Sequence, residues 1–192
     1  MDYEWKDCFV LDTNILIYAM ENFPKAWGSS LNYLREHHKD LLMPRGHMVP
    51  FGEKYKEEFR KLFMNRISME RKSKELLYYC ITGKANCYIS GYQLGTIEGK
   101  LGKSVRRYVD SLVDGGYLKI DNSFYSGIRN ACLEKIKKDD DKEDCEVLAR
   151  TNCSTLVTVD DDFLEICWEL YRKGKARRCI NLNTALRWLR RK

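Results

Sequence analysis

The sequence predicts an α/β protein with a five-stranded parallel sheet flanked by helices, and three observations carry that expectation. Short apolar runs recur with helical stretches between them. Two of the best of those runs end in aspartate, as strands do where they deliver a carboxylate to the edge of an open sheet. No internal repeat or low-complexity linker interrupts the alternation, so the 192 residues read as one domain, 1–192, with a helical insertion at about 44–83.

The elements follow in order. Cys8-Phe9-Val10-Leu11-Asp12 is an apolar run closed by an acid, the pattern of a buried parallel strand. Thr13-Asn14 then opens an apolar stretch, residues 15–20, that reads as a helix. Pro24 suits the first turn of a second helix over roughly 25–38, and 43–52, with two Pro and two Gly, reads as a loop. Residues 53–81 carry Tyr55, Phe59, Leu62, Phe63, Ile67, Leu76, Leu77 and Ile81 at helical spacings, read as two helices broken near 65–68. A second strand is expected at 85–90 and a helix at 92–99. Another helix at 103–113 is ended by Gly115-Gly116, and a third strand follows at 117–120. Helices at 123–137 and 144–151 lead to a strand at 155–159. The chain closes with a helix at 161–172, a fifth strand at 178–182 and a helix at 184–191 capped by Asn183. Strands separated by helices imply right-handed crossovers and a sheet covered on both faces.

Composition narrows the function classes. Hydrophobic residues at 44% and charged residues at 32% describe a globule. No apolar run approaches a membrane span, and 1–8 lacks the basic-then-apolar layout of a signal peptide, so a cytoplasmic protein without a membrane role is expected. The net charge of +6 is uneven: residues 171–192 hold nine Lys or Arg and no acid, leaving 25 basic against 28 acidic residues elsewhere. A basic end on a mildly acidic body suits a polyanion-binding surface with a carboxylate site apart from it, although a solvated helix face would look the same. None of the eight cysteines forms a CxxC pair, and the three His cluster away from most of them, which argues against structural zinc. Most thiols are expected to be small buried hydrophobes, with disulfides open if the source is a hyperthermophile.

The chemistry is expected at the carboxyl ends of the strands. Asp12 follows Phe9-Val10-Leu11, Asp160 follows Leu156-Val157-Thr158-Val159, and Asp144 begins the helix before that strand. Close carboxylates repel unless a cation compensates, and hard oxygen donors favour Mg²⁺ or Mn²⁺. Such ions suit phosphodiester hydrolysis. A single aspartate at a strand end is more often a turn or helix cap. The combination is less common. No glycine-rich phosphate loop or Ser/His/Asp arrangement competes with it.

At these residues the chain resembles the PIN-domain nucleases. Phe9-Val10-Leu11-Asp12-Thr13-Asn14 is similar to the family's first motif, Asp144-Cys145-Glu146-Val147-Leu148-Ala149 to its third, and Leu156-Val157-Thr158-Val159-Asp160-Asp161-Asp162-Phe163 to its last. The resemblance covers nearly the whole chain apart from 43–83. It implies a three-layer PIN-like fold and a Mg²⁺- or Mn²⁺-dependent endoribonuclease acting on single-stranded or structured RNA, as a toxin or a processing enzyme. Asp12, Asp144 and Asp160 carry over as metal ligands, Asp162 as an outer ligand and Asn14 as a polar group near the first acid. Thr158 is expected to orient the last loop by hydrogen bonding.

Two positions depart from the family pattern. Thr96 stands where the family has a glutamate, and Glu98 is the carboxylate nearby. Leu94 at i−4 and Leu101 at i+3 put Glu98 beside its helix's apolar stripe, so an inward turn is open to it, as is a solvent-facing role. Sixteen positions separate Asp144 from Asp160, short for the family, so Asp141 or Glu143 can stand in for Asp144. Arg172, Lys173, Lys175, Arg177 and Arg178 are the candidate phosphate contacts. The insertion adds Lys54, Lys56, Arg60 and Lys61 with Tyr55 and Phe59 interleaved, aromatics that by their spacing pack in the core more readily than they stack on bases. It is also open to a homodimer interface or to a protein partner such as an antitoxin. The alternative function is a catalytically degenerate PIN fold that binds RNA or protein, and a nuclease on structured DNA is a third.

Overall fold

The computed structural model describes residues 8–20, 53–136, 142–150, 155–176 and 178–191, with side chains from residue 65 onward in its longest helix. The helix expected at 25–38, the loop at 43–52, the side chains of Tyr55 and Phe59, and Asp141 and Arg177 lie outside that description.

Five short strands form the sheet: β1 (Cys8–Leu11), β2 (Asn86–Ile89), β3 (Leu118–Ile120), β4 (Thr155–Thr158) and β5 (Arg178–Asn181). Every pairing is parallel and the order is β3-β2-β1-β4-β5. The helices described are α1 (Thr13–Met20), α2 (Glu53–Ile81), α3 (Gly91–Leu101), α4 (Lys103–Asp114), α5 (Ser126–Leu133), α6 (Lys142–Ala149), α7 (Asp161–Arg172) and α8 (Leu182–Arg190). The expected α/β architecture is present, with all five strands.

Side chains alternate across the strands, and this alternation separates two cores. Phe9 and Leu11 join Cys87, Ile89, Val157 and Ile180 on the face covered by α1, α2, α3, α4 and α8. Val10, Leu156 and Cys179 turn the other way, against Cys132, Cys145, Leu148, Phe163, Cys167 and Leu170 of α5, α6 and α7. Asp12 follows Leu11 by one step.

Three local expectations are corrected. Residues 53–81 form one continuous helix rather than two. The supposed break, Asn65-Arg66-Ile67-Ser68, contains no Gly or Pro, and its residues cost only tenths of a kcal/mol each against alanine, roughly. The last helix begins at Leu182 and is capped by Asn181, whose Oδ1 accepts from the Thr184 amide at 2.9 Å. Asn183 is already inside it. The cysteines are not mainly free: Cys80 is bonded to Cys87 and Cys132 to Cys145, each with Cα atoms 5.6 Å apart, and Cys8 is disulfide-bonded as well. Burial and oxidation are compatible, and the spacing of Cys80 from Cys87 shows nothing until α2 is laid against β2. Among the described cysteines, Cys167 and Cys179 are buried thiols outside these disulfides. No described helix is long and apolar enough to cross a membrane.

Candidate active site

The strand order places a switch point between β1 and β4. The chain winds outward from β1 to β2 and β3, then returns to the opposite side of β1 to lay down β4 and β5. Connections leaving β1 and β4 therefore diverge to opposite faces, opening a crevice beyond their carboxyl ends. Asp12 and Asp160 are the residues that end these two strands' runs.

Asp12 is held rather than solvated. It is 1% exposed, its amide donates to Val157 O at 3.0 Å, and its Oδ2 accepts from Thr158 Oγ1 at 2.8 Å. The Asn14 amide donates to its Oδ1 at 3.4 Å. The same Thr158 hydroxyl accepts from the Asp160 amide at 3.0 Å. The Asp160 amide thus lies within two hydrogen-bond lengths of the Asp12 carboxylate, with the Thr158 hydroxyl as the bridge between them. Burial is the main cause that pushes the Asp12 carboxyl up from 3.8 to about 6, against the Thr158 and Asn14 hydrogen bonds, which hold it down. The charges of Glu143 and Asp160 add to the rise, so both act on Asp12 across the crevice.

Asp160 also caps α7, accepting from the Phe163 amide at 2.9 Å through Oδ1. Asp162 is exposed in the first turn of that helix. Asp144, 7% exposed, sits in the first turn of α6. Its charge and that of Asp12 both reach the Cys167 thiol, which burial first, then Cys179, and then these acids push well up. Glu143, beside Asp144, takes the Lys100 ammonium at 3.0 Å through Oε2, while its Oε1 is buried without a hydrogen-bond partner among the described residues. Glu143 and Asp144 thus lie side by side in the first turn of α6, and the Glu143 charge is among those that raise Asp12.

Glu98 is not turned into the crevice. Its carboxylate faces Arg106 of α4 at 3.8 Å, and Arg106 also binds Asp110 at 2.8 Å. The residue of α3 that reaches the β1 turn is Gln93. It is fully buried, donating through Nε2 to Leu11 O at 2.7 Å and to Thr13 Oγ1 at 3.3 Å, while its Oε1 accepts from the Ser90 amide at 2.8 Å. Ser90 and Gln93 form a capping box, so the Ser-x-x-Gln spacing was a signal available in the sequence. Nothing local marked the pairing of Lys100 with Glu143.

The C-terminal basics occupy the other end of the sheet. Thr158 pairs with Asn181 at the carboxyl edge, whereas Arg178 pairs with Thr155 at the amino edge. Between them α7 runs twelve residues away from Asp160, about 18 Å. Arg172, Lys173 and Lys175 end or follow that helix. Lys173 is held by Glu169 at 2.6 Å, and the Arg178 guanidinium lies over Trp168 and Trp188 at 5.9 and 5.1 Å. These charges are separated from the carboxylates.

Among the described residues, no group of three or more His, Cys, Asp or Glu is assembled to hold a metal ion. Zinc or calcium would need such a cage. Mg²⁺ demands less, because it retains waters and commonly takes one or two carboxylates together with substrate phosphates. A buried Asp12 with Asp160 alongside fits that mode. No protein-family model matches the chain, and comparison with curated proteins and with solved structures likewise finds no match.

Proposed function

We propose that this chain is a divalent-metal-dependent endoribonuclease of PIN type. The observation that carries the reading is the Thr158 bridge: one hydroxyl fixes Asp12 and the Asp160 loop together at the switch point of a parallel sheet. A carboxylate buried beside two further acids is costly to ionise, and a cation offsets that cost. Asp12 and Asp160 would hold Mg²⁺ or Mn²⁺, with Asp144, Glu143 and Asp162 as further oxygen donors. When bound, the ion would supply an activated water and a clamp on phosphate oxygens. Thr158 and the Asn14 amide orient the Asp12 carboxylate, and Gln93 ties to the Leu11 carbonyl before it and the Thr13 hydroxyl after it. Lys100 compensates Glu143 at the rim of the site.

The test is cleavage of single-stranded RNA by purified protein with Mn²⁺ or Mg²⁺. Asp12→Asn is expected to abolish cleavage while RNA affinity in chelator is retained. Cleavage by the variant at the wild-type rate defeats the reading. A second reading, a PIN fold that binds RNA or protein without cutting, is favoured by one observation: Thr96 and Glu98 together leave α3 without a carboxylate facing the crevice. Titration with Mn²⁺ that leaves the melting temperature unmoved would support it. Under the first reading the chain acts either as a toxin held by an antitoxin-like partner or as an RNA-processing enzyme.

A further inference from the structure

The described residues include eight exposed large apolar side chains, and four of them, Tyr92, Ile120, Phe124 and Tyr125, lie at or just beyond the carboxyl ends of β2 and β3. These loops are tied to each other. The Asp121 amide donates to Ile89 O at 2.8 Å, the Gly91 amide donates to Asn122 Oδ1 at 3.2 Å, and the Tyr125 amide donates to Ala149 O at 2.7 Å. The approach at Gly91 is so close that a Cβ there would meet Asn122 Oδ1 at 2.8 Å. The rim is therefore a built surface rather than loose apolar side chains.

Arg150 organises it. Its guanidinium lies 5.4 Å from the Tyr92 ring centroid and 4.7 Å from that of Phe124, so one cation is shared by two aromatic rings. Tyr92 and Phe124 remain 40% and 46% exposed as residues. Glu146 binds both Arg150 and Arg129, leaving two guanidinium groups against one carboxylate. The surface thus offers flat π faces and a planar cation. Tyr92 also precedes Gln93, the residue bonded to Leu11 O and Thr13 around Asp12. Aromatic and arginine planes beside a positive groove are how proteins hold unpaired bases, whereas an A-form duplex keeps its base faces stacked inside.

We propose that Tyr92, Phe124 and Arg150 form a stacking platform for unpaired bases of single-stranded RNA, delivering the strand to the Asp12/Asp160 crevice. The inference rests on the ribonuclease reading for its substrate class, and its own test needs no cleavage. A fluorescein-labelled uridine homopolymer of roughly ten nucleotides is titrated with the full chain in chelator, and anisotropy gives Kd. Tyr92→Ala and Phe124→Ala are each expected to weaken binding about five- to a hundredfold. Tyr92→Phe and Phe124→Tyr restore it, and Tyr78→Ala, exposed on α2, leaves it unchanged. Alanine variants that bind like wild type, or wild type that binds duplex RNA as tightly as single strand, overturn the platform. Tighter binding of single-stranded DNA overturns the assignment to RNA, and absence of nucleic-acid binding overturns the proposal in favour of a protein-facing surface. Loss of binding in the alanine variants without any Mn²⁺-dependent cleavage by wild type keeps the platform and rejects the nuclease. Cleavage by alanine variants that bind like wild type does the reverse.

Discussion

Replacing Asp12 with asparagine in metal-free protein exposes the energetic strain at the centre of the site. The carboxyl is 1% exposed and titrates at about 6 in the fold, against 3.8 ordinarily. A pKa raised by folding means that the native state holds the proton more tightly than the unfolded chain does. The associated stability is therefore fully present below about pH 4 and is lost as pH rises through about 6. At about 1.4 kcal/mol per pH unit, the ionised carboxylate costs the fold about 3 kcal/mol at neutral pH. Asparagine keeps an oxygen to accept from Thr158 and carries no charge. Wild type and Asp12→Asn should then be close in stability near pH 4 and diverge by about 3 kcal/mol near pH 7, the variant being the more stable. For a chain of this size the gap is roughly 6–12 °C in Tm. Urea unfolding in chelator across that range measures it directly. A gap that does not change with pH refutes the argument that burial of a charge dominates this position. Mn²⁺ at about a hundredfold over its Kd should return about 2.7 kcal/mol to the wild type and nothing to the variant.

Thr158→Val removes the hydroxyl that serves both Asp12 and the Asp160 amide, leaving two polar groups short of a partner. A loss of about 2–4 kcal/mol is expected by urea unfolding, with the pH–rate profile of RNA cleavage moved to higher pH because the hydrogen bond that holds Asp12 down is gone. Gln93→Leu, which strips the buried bonds to Leu11 O and Thr13, should cost about 2–3 kcal/mol by the same measurement. Reduction of the Cys80–Cys87 and Cys132–Cys145 bonds should lower stability by about 2–3 kcal/mol each, read as a drop in Tm on adding dithiothreitol. Charge neutralisation at Arg172, Lys173 and Lys175, at the edge of the sheet opposite the acids, should leave the cleavage rate of a short oligonucleotide unchanged.

The sequence alone determined what is local. A β1 run of Phe9, Val10 and Leu11 buried on alternating faces, and a β4 run of Leu156 and Val157, are strands because apolar side chains must leave water on both sides of a parallel sheet. The acids that close them, Asp12 and Asp160, stand where chain direction changes, so their positions follow from the strands themselves. The capping box at Ser90 and Gln93 is equally local, although the amide's reach to Leu11 O, 82 residues away, is not. Tertiary structure decided the rest of the site. One residue along a helix rotates a side chain by about 100°, so whether Glu98 or Gln93 faced β1, and how Glu143 and Asp144 met the crevice, depended on how α3 and α6 are seated. The partners of Cys80 and Cys132 depended on which helix lay on which strand or neighbouring helix. The basic run after Tyr171 is evident in the chain, but its placement at the amino edge is set by the direction in which α7 crosses the sheet. Short-range sterics and hydrophobic periodicity determine strands and their ends. Contacts between elements distant in sequence depend on packing angles that no local pattern encodes.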